Sequence, residues 1–147
     1  MNKIYLGIDP GKSGAIGVLN PDGSYLSVWD MPDTTVGLAE LINDLTLNEE
    51  AYIILEKVHS MPTDSSVAAF EFGRRVGNVE GVLAAYKLGF TRVSPQTWKR
   101  SFGLIGKDKE ASRILASEMW PKAPLNRKLH HGRAEALLLA EYLRKGG

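Results

Sequence analysis

Lys3-Ile4-Tyr5-Leu6-Gly7-Ile8-Asp9-Pro10-Gly11-Lys12-Ser13-Gly14-Ala15-Ile16-Gly17-Val18-Leu19-Asn20 decides how this chain is read. Lys3 to Asp9 is an apolar run that stops at a Pro-Gly pair, and Ser13 to Asn20 is a second one. Pro21-Asp22-Gly23 is a turn signal, after which Ser24 to Asp30 forms a third stretch. Short apolar runs punctuated by Gly, Pro and Asp read as strands joined by tight connections. The first thirty residues therefore predict an antiparallel meander, with Asp9 at the end of its first strand.

Working outward, Val36, Leu38, Leu41, Ile42 and Leu45 fall at helical spacing between Thr34 and about Asn48. Ala51 to Glu56 is a short apolar run ending in an acid. A polar loop from Lys57 to Thr63 leads to a long helical segment from about Asp64 to Leu88, with Asp64 or Ser65 as N-cap and Gly89 as the stop. Gly73, Gly77 and Gly81 recur at every fourth position in it. A glycine inside a helix costs up to about 1 kcal/mol, so three imply a smooth stripe for a partner helix, from this chain or a second copy. Phe90 to Ser94 reads as a fifth strand, Pro95 opens a helix, and Lys107 to Trp120 and Gly132 to Lys145 form two more. Three meandering strands followed by alternating helices and strands predict an α/β fold, a mixed sheet covered by helices. No repeat or linker divides the chain, so residues 1–147 read as one domain.

The sequence has no cysteine, which excludes disulfide frameworks, thiolate nucleophiles and zinc-thiolate sites and fits a reducing compartment. The N-terminal run meets Asp9-Pro10 too early for a signal peptide, and no run is long enough to span a membrane. The expectation is a cytoplasmic protein without membrane association, including one acting in the cytoplasm of a phage-infected host. The net charge of +1 conceals a polarity: residues 1–73 carry 3 basic and 11 acidic residues, whereas residues 74–147 carry 15 and 6. Such asymmetry gives one surface to a polyanion, unless the basic residues are merely scattered and solvated.

Asp9 and Glu56 each end a strand, and neighbouring strands would bring both carboxylates to one sheet edge. Glu135 lies one helical turn after His131, so the two share a face. Oxygen and imidazole ligands from separate elements make an open site for Mg²⁺, with Mn²⁺ as a substitute. Two such ions, about 3.5–4 Å apart, activate water and stabilise the leaving oxygen of a phosphodiester. Taken singly, each acid also reads as an ordinary strand-end or helix-surface charge.

Ile8-Asp9-Pro10-Gly11 with Ser13-Gly14-Ala15 resembles the first-strand motif of the RuvC-like Holliday junction resolvases, especially their compact phage-borne members. Leu55-Glu56-Lys57-Val58 is similar to that family's second acidic motif, and Gly132-Arg133-Ala134-Glu135-Ala136-Leu137 to its C-terminal helix motif. The three occur in family order across nearly the whole chain. The resemblance implies an RNase H-like fold with a five-stranded sheet, three strands antiparallel and two parallel. It further implies a homodimer and Mg²⁺-dependent paired nicking of four-way DNA junctions. Asp9, Glu56 and Glu135 would be metal ligands, and Lys99 and Lys109 would approach the scissile phosphates. Many members carry Asp where Glu135 stands, and Asp in the preceding turn, where this chain has His130-His131. His131 is accordingly a fourth ligand, a surface histidine or an altered position. In the loop after Glu56, where relatives place an aromatic wedge, His59 and Met61 either insert at a base step or form a plain loop.

From Arg92 to Arg133, basic residues are interleaved with Trp98, Phe102 and Trp120. Lys99, Arg100, Lys107 and Lys109 are candidate phosphate contacts, and the aromatics read as core. Arg74 and Arg75 flank either DNA or a dimer seam, which the twofold symmetry of a junction would place on the helix around 64–88. Gly-Ile-Asp-Pro-Gly-Lys-Ser-Gly also resembles the phosphate turn of actin-like and sugar kinases, although those usually need two lobes. Two further alternatives are a less selective nuclease acting on flaps or hybrids and a junction-binding module whose catalysis is impaired.

Overall fold

The computed structural model describes residues 1–57 and 61–147. His59 thus lies outside the described residues. The meander is present as β1 (Asn2–Asp9), β2 (Ala15–Leu19) and β3 (Tyr25–Asp30), followed by α1 (Thr35–Thr46) and β4 (Glu49–Glu56). Then come α2 (Ser66–Ala85), β5 (Thr91–Val93), α3 (Pro95–Ser101), α4 (Lys109–Met119), a 3-10 turn at Lys128–His130, and α5 (His131–Arg144). The sheet order is β3-β2-β1-β4-β5, antiparallel on the β3 side of β1 and parallel on the β4 side. No helix among the described residues is long and apolar enough to cross a membrane.

Capping chemistry sets the helix starts. The side chains of Thr34, Ser65, Ser94 and Asp108 each accept a hydrogen bond from the amide three residues on. Of the two expected caps for α2, Ser65 takes the role, while Asp64 accepts from the Met61 amide instead. The stop of α2 is Lys87, in the left-handed region at φ 57°, rather than Gly89. The Leu88 amide reaches back to the Leu83 carbonyl, closing the last turn. β4 starts two residues earlier than the apolar run suggests, because Glu49 and Glu50 pair with Asn2 and Lys3 at the polar end of the sheet.

Side-chain alternation divides the core into two layers. Ile4, Leu6 and Ile8 of β1, with Ile53 and Leu55 of β4, face α1 and α2. Ile54 and Leu19 face the other way, into a layer containing Trp98, Ala116 and the buried face of α5. By the same parity Asp9 and Glu56 point to the α5 side. α5 lies directly on β1 and β2 because Gly7 and Gly17, registered partners, leave room for its backbone. A Cβ on Gly7 would collide with the Ala136 carbonyl oxygen, and one on Gly17 would stand 2.7 Å from the Leu137 nitrogen. At the start of α5, a Cβ on Gly132 would collide with the Ser13 carbonyl oxygen.

The stripe on α2 behaves differently. Nothing lies within 4 Å of a Cβ built on Gly73, Gly77 or Gly81. Within this chain the stripe receives no partner helix among the described residues, which removes one of the two readings offered for it.

Candidate active site

β1 and β4 run parallel, and the register that pairs Ile8 with Leu55 sets Asp9 beside Glu56 at their carboxyl ends. α5 crosses the same end and contributes Glu135, one turn after His131. Arg133 fixes this end of the helix with two bonds to Asp30 at the end of β3, Nε to Oδ1 at 2.8 Å and Nη2 to Oδ2 at 2.9 Å. Three carboxylates from separate elements thereby meet on one face of the sheet.

Their environment is hostile to charge. Glu56 is 7% exposed and Glu135 8%. Burial, and after it the Asp9 and Glu135 charges, push the Glu56 carboxyl up to about 7, against the Trp98 indole and Lys99, which favour its anion. Burial and the Asp9 charge likewise raise Glu135, with Lys99 and Lys109 opposing. Asp9 is raised by burial, while the Gly11 amide, His131, Lys109 and Lys99 favour its charged form. The three acids are therefore within electrostatic reach of one another and under-compensated.

Two residues of α3 hold the cluster. Trp98, fully buried, donates its indole N–H to Glu56 Oε2 at 2.7 Å, and the next residue, Lys99, places Nζ 3.8 Å from Glu135 Oε2. The Gly11 amide donates to Asp9 Oδ1 at 3.0 Å. His131 stands close enough to Asp9 and Lys109 to feel both; burial first, then Lys109, lowers its pKa, so the ring is neutral at pH 7. Its Nδ1 is buried without a hydrogen-bond partner among the described residues.

Asp9, Glu56, Glu135, His131, Lys99 and Lys109 are thus brought together. Lys107 and Arg100 are exposed nearby in sequence, on the α3–α4 connection and on α3. Met61 is 57% exposed in the loop before α2. Arg74 and Arg75 lie on α2, across the sheet from α5. Trp98 reads from sequence as core alone; it is core, and it also orients a carboxylate. Its adjacency to Lys99 is the available signal.

Among the described residues, no three carboxylate or imidazole groups stand close enough to enclose a single ion. The cluster is an open constellation rather than a closed cage. Its donors are nonetheless those a hard divalent cation prefers, and three carboxylates of like charge opposed by Lys99 and Lys109 leave a positive charge to be supplied. The orphaned His131 Nδ1 points to the same deficit. Asp9, Glu56 and Glu135, with His131, fit a Mg²⁺-type ion in chemistry.

Comparison with known proteins agrees with this architecture. The chain is similar to T. thermophilus RuvC in complex with a Holliday junction substrate, at a TM-score of 0.71 and 16% identity over 97% of this chain and 96% of that one. A second Thermus thermophilus RuvC structure superposes with a TM-score of 0.65 at 17% identity, covering 95% and 92%. The fold is thus RuvC-like, within the RNase H-like class. In sequence, 87 residues, 56% of this chain, are 38% identical to the chloroplastic Holliday junction resolvase MOC1 of Chlamydomonas reinhardtii. The match spans 10% of that relative's length. No family model matches the chain.

Proposed function

We propose that residues 1–147 are one nuclease domain that resolves four-way DNA junctions by metal-dependent phosphodiester hydrolysis, as part of recombination and repair. The observation that carries this reading is the convergence of half-buried Asp9 with buried Glu56 and Glu135, under-compensated, at one end of a RuvC-like sheet. The likeness to a RuvC bound to a junction, and to a chloroplastic resolvase, supports branched DNA as the substrate.

In this mechanism Asp9, Glu56 and Glu135 hold Mg²⁺, or Mn²⁺ in its place, with neutral His131 as a fourth donor. When bound, the cation supplies Lewis acidity to the phosphodiester and lowers the pKa of an attacking water. Trp98 fixes the Glu56 rotamer through its indole N–H, and Gly11 does the same for Asp9. Lys99 and Lys109, which already bias the acids toward their charged forms, offset the negative charge of an incoming phosphate. Arg100 and Lys107 extend the basic surface beyond them, and the exposed Met61 either inserts at a base step or belongs to a plain loop.

Paired nicks need two sites, and a homodimer through the open glycine stripe of α2 provides them. The enzyme acts in the cytoplasm, including that of a phage-infected host. The test is cleavage of four-way junctions, flaps, RNA–DNA hybrids and linear duplex with Mg²⁺. Symmetric nicks confined to the junction are expected. Equal cutting of flaps or hybrids would favour the less selective nuclease, and binding without cutting would favour an impaired junction-binding module.

A further inference from the structure

A second charged feature lies beside the acids and takes no part in the chemistry above. A groove of about 490 Å³ separates the turn after β1 from the start of α1 and the middle of α2. Three cations line it: Lys12 from the turn, and Arg74 and Arg75 from α2, which reach it from different parts of the chain. Two acids also border it. Glu71 lies 3.8 Å from Arg74 and partly satisfies it, which leaves Lys12 and Arg75 facing Asp33 alone. Among the described residues neither Lys12 nor Arg75 makes an ion pair or a side-chain hydrogen bond. The first turn of α1, whose cap Thr34 also lines the groove, carries no acid, so its amide dipoles add positive potential. Asn78 supplies a further polar group.

The groove shares Gly11 with the acid cluster: the Gly11 amide grips Asp9, and the same residue forms part of the groove wall. A strand whose scissile phosphate lies at Asp9 therefore has cations on both sides. Lys99 and Lys109 stand on the α5 side of the sheet, and Lys12 and Arg75 on the α2 side. We infer that the groove formed by Lys12, Thr34, Arg75 and Asn78 is a second phosphate subsite, holding the DNA backbone next to the cut on the side away from Lys99. This rests on the nuclease reading and adds to it the strand's path across the Asp9 turn.

The test compares the wild type with a Lys12→Gln, Arg75→Gln double variant, and with a charge-matched Lys3→Gln, Lys87→Gln control. Binding of a four-way junction is followed against salt in EDTA, with thermal melts to confirm folding. Losing two phosphate contacts should lower the slope of log Kd against log salt by about two; the control should leave it unchanged. The same binding assay is run with single neutral methylphosphonate linkages placed along the cleaved strand. Wild type should weaken at one or two linkages on one side of the cut, and the double variant should show no further loss at those positions. An unchanged slope, or undiminished sensitivity to the same linkages, overturns the inference. So does binding of inorganic phosphate or ATP that the double variant loses while its DNA binding stays normal, because the groove would then serve a small phosphate ligand. Failure of the wild type to bind any DNA would instead sink the nuclease reading itself.

Discussion

Replacing Glu56 with Gln should stabilise the metal-free protein at neutral pH, although the substitution removes a proposed ligand. The folded protein holds the Glu56 proton up to about pH 7, against an ordinary value of 4.5. Between those values the native state binds more protons than the unfolded chain, so stability falls as pH rises. The contribution is intact below about pH 4.5 and is lost as pH climbs through about 7. At about 1.4 kcal/mol per pH unit, the full loss is about 3 kcal/mol. The substituted amide would carry no charge at any pH, and its side-chain oxygen can still accept the Trp98 indole N–H. Urea unfolding in EDTA from pH 4.5 to 8 reads the difference. Wild type should lose at least about 3 kcal/mol across that range, and Glu56→Gln should lose about 3 kcal/mol less, keeping the same-signed slopes of Asp9 and Glu135. Added Mg²⁺ should restore wild type but not the variant, by about 2.7 kcal/mol at a hundredfold excess over Kd. A wild-type curve that is flat from pH 5 to 7.5, or a Glu56→Gln variant less stable than wild type at pH 8, would refute the reasoning.

Gly7→Ala should cost about 3 kcal/mol or more and lower Tm by several degrees in calorimetry, because its Cβ collides with the Ala136 carbonyl oxygen; a neutral result would mean α5 is not seated on β1 as described. Gly77→Leu should leave the fold intact, since its Cβ meets nothing in this chain, yet shift sedimentation from dimer to monomer; an unchanged dimer would move the interface elsewhere. Trp98→Phe keeps most of the packing but withdraws the hydrogen bond to Glu56, so the Mg²⁺ concentration for half-maximal cleavage should rise about tenfold. Lys99→Ala should flatten the salt dependence of junction binding by about one contact, and an unaltered slope would remove Lys99 from the phosphate path.

The sheet is legible in the sequence because its punctuation is local. Pro10-Gly11 and Pro21-Asp22-Gly23 end runs whose length admits little but strands, and the acids at the ends of β1 and β4 follow from the same reading. The meander and the two parallel strands appear as expected. What the sequence hides depends on contacts across long separations. Gly7 and Gly17 sit inside apolar runs and look like weak points in strands, yet they are what lets α5 descend far enough to bring Glu135 to Asp9. The glycines that do stand out by their spacing, on α2, face nothing in this chain. Trp98 reads correctly as core, but no pattern announces that its N–H ends on a carboxylate 42 residues earlier. Lys12 and Arg75, 63 positions apart, become neighbours of one groove only when α2 packs beside the turn after β1.

Manganese binding tests the central claim most directly. Free Mn²⁺ is followed by electron paramagnetic resonance during titration of the wild type and of the Asp9→Asn, Glu56→Gln and Glu135→Gln variants. Uptake by the wild type and at least about a tenfold weakening in each variant is the predicted result. Equal uptake by all four proteins, or none by the wild type, would contradict it.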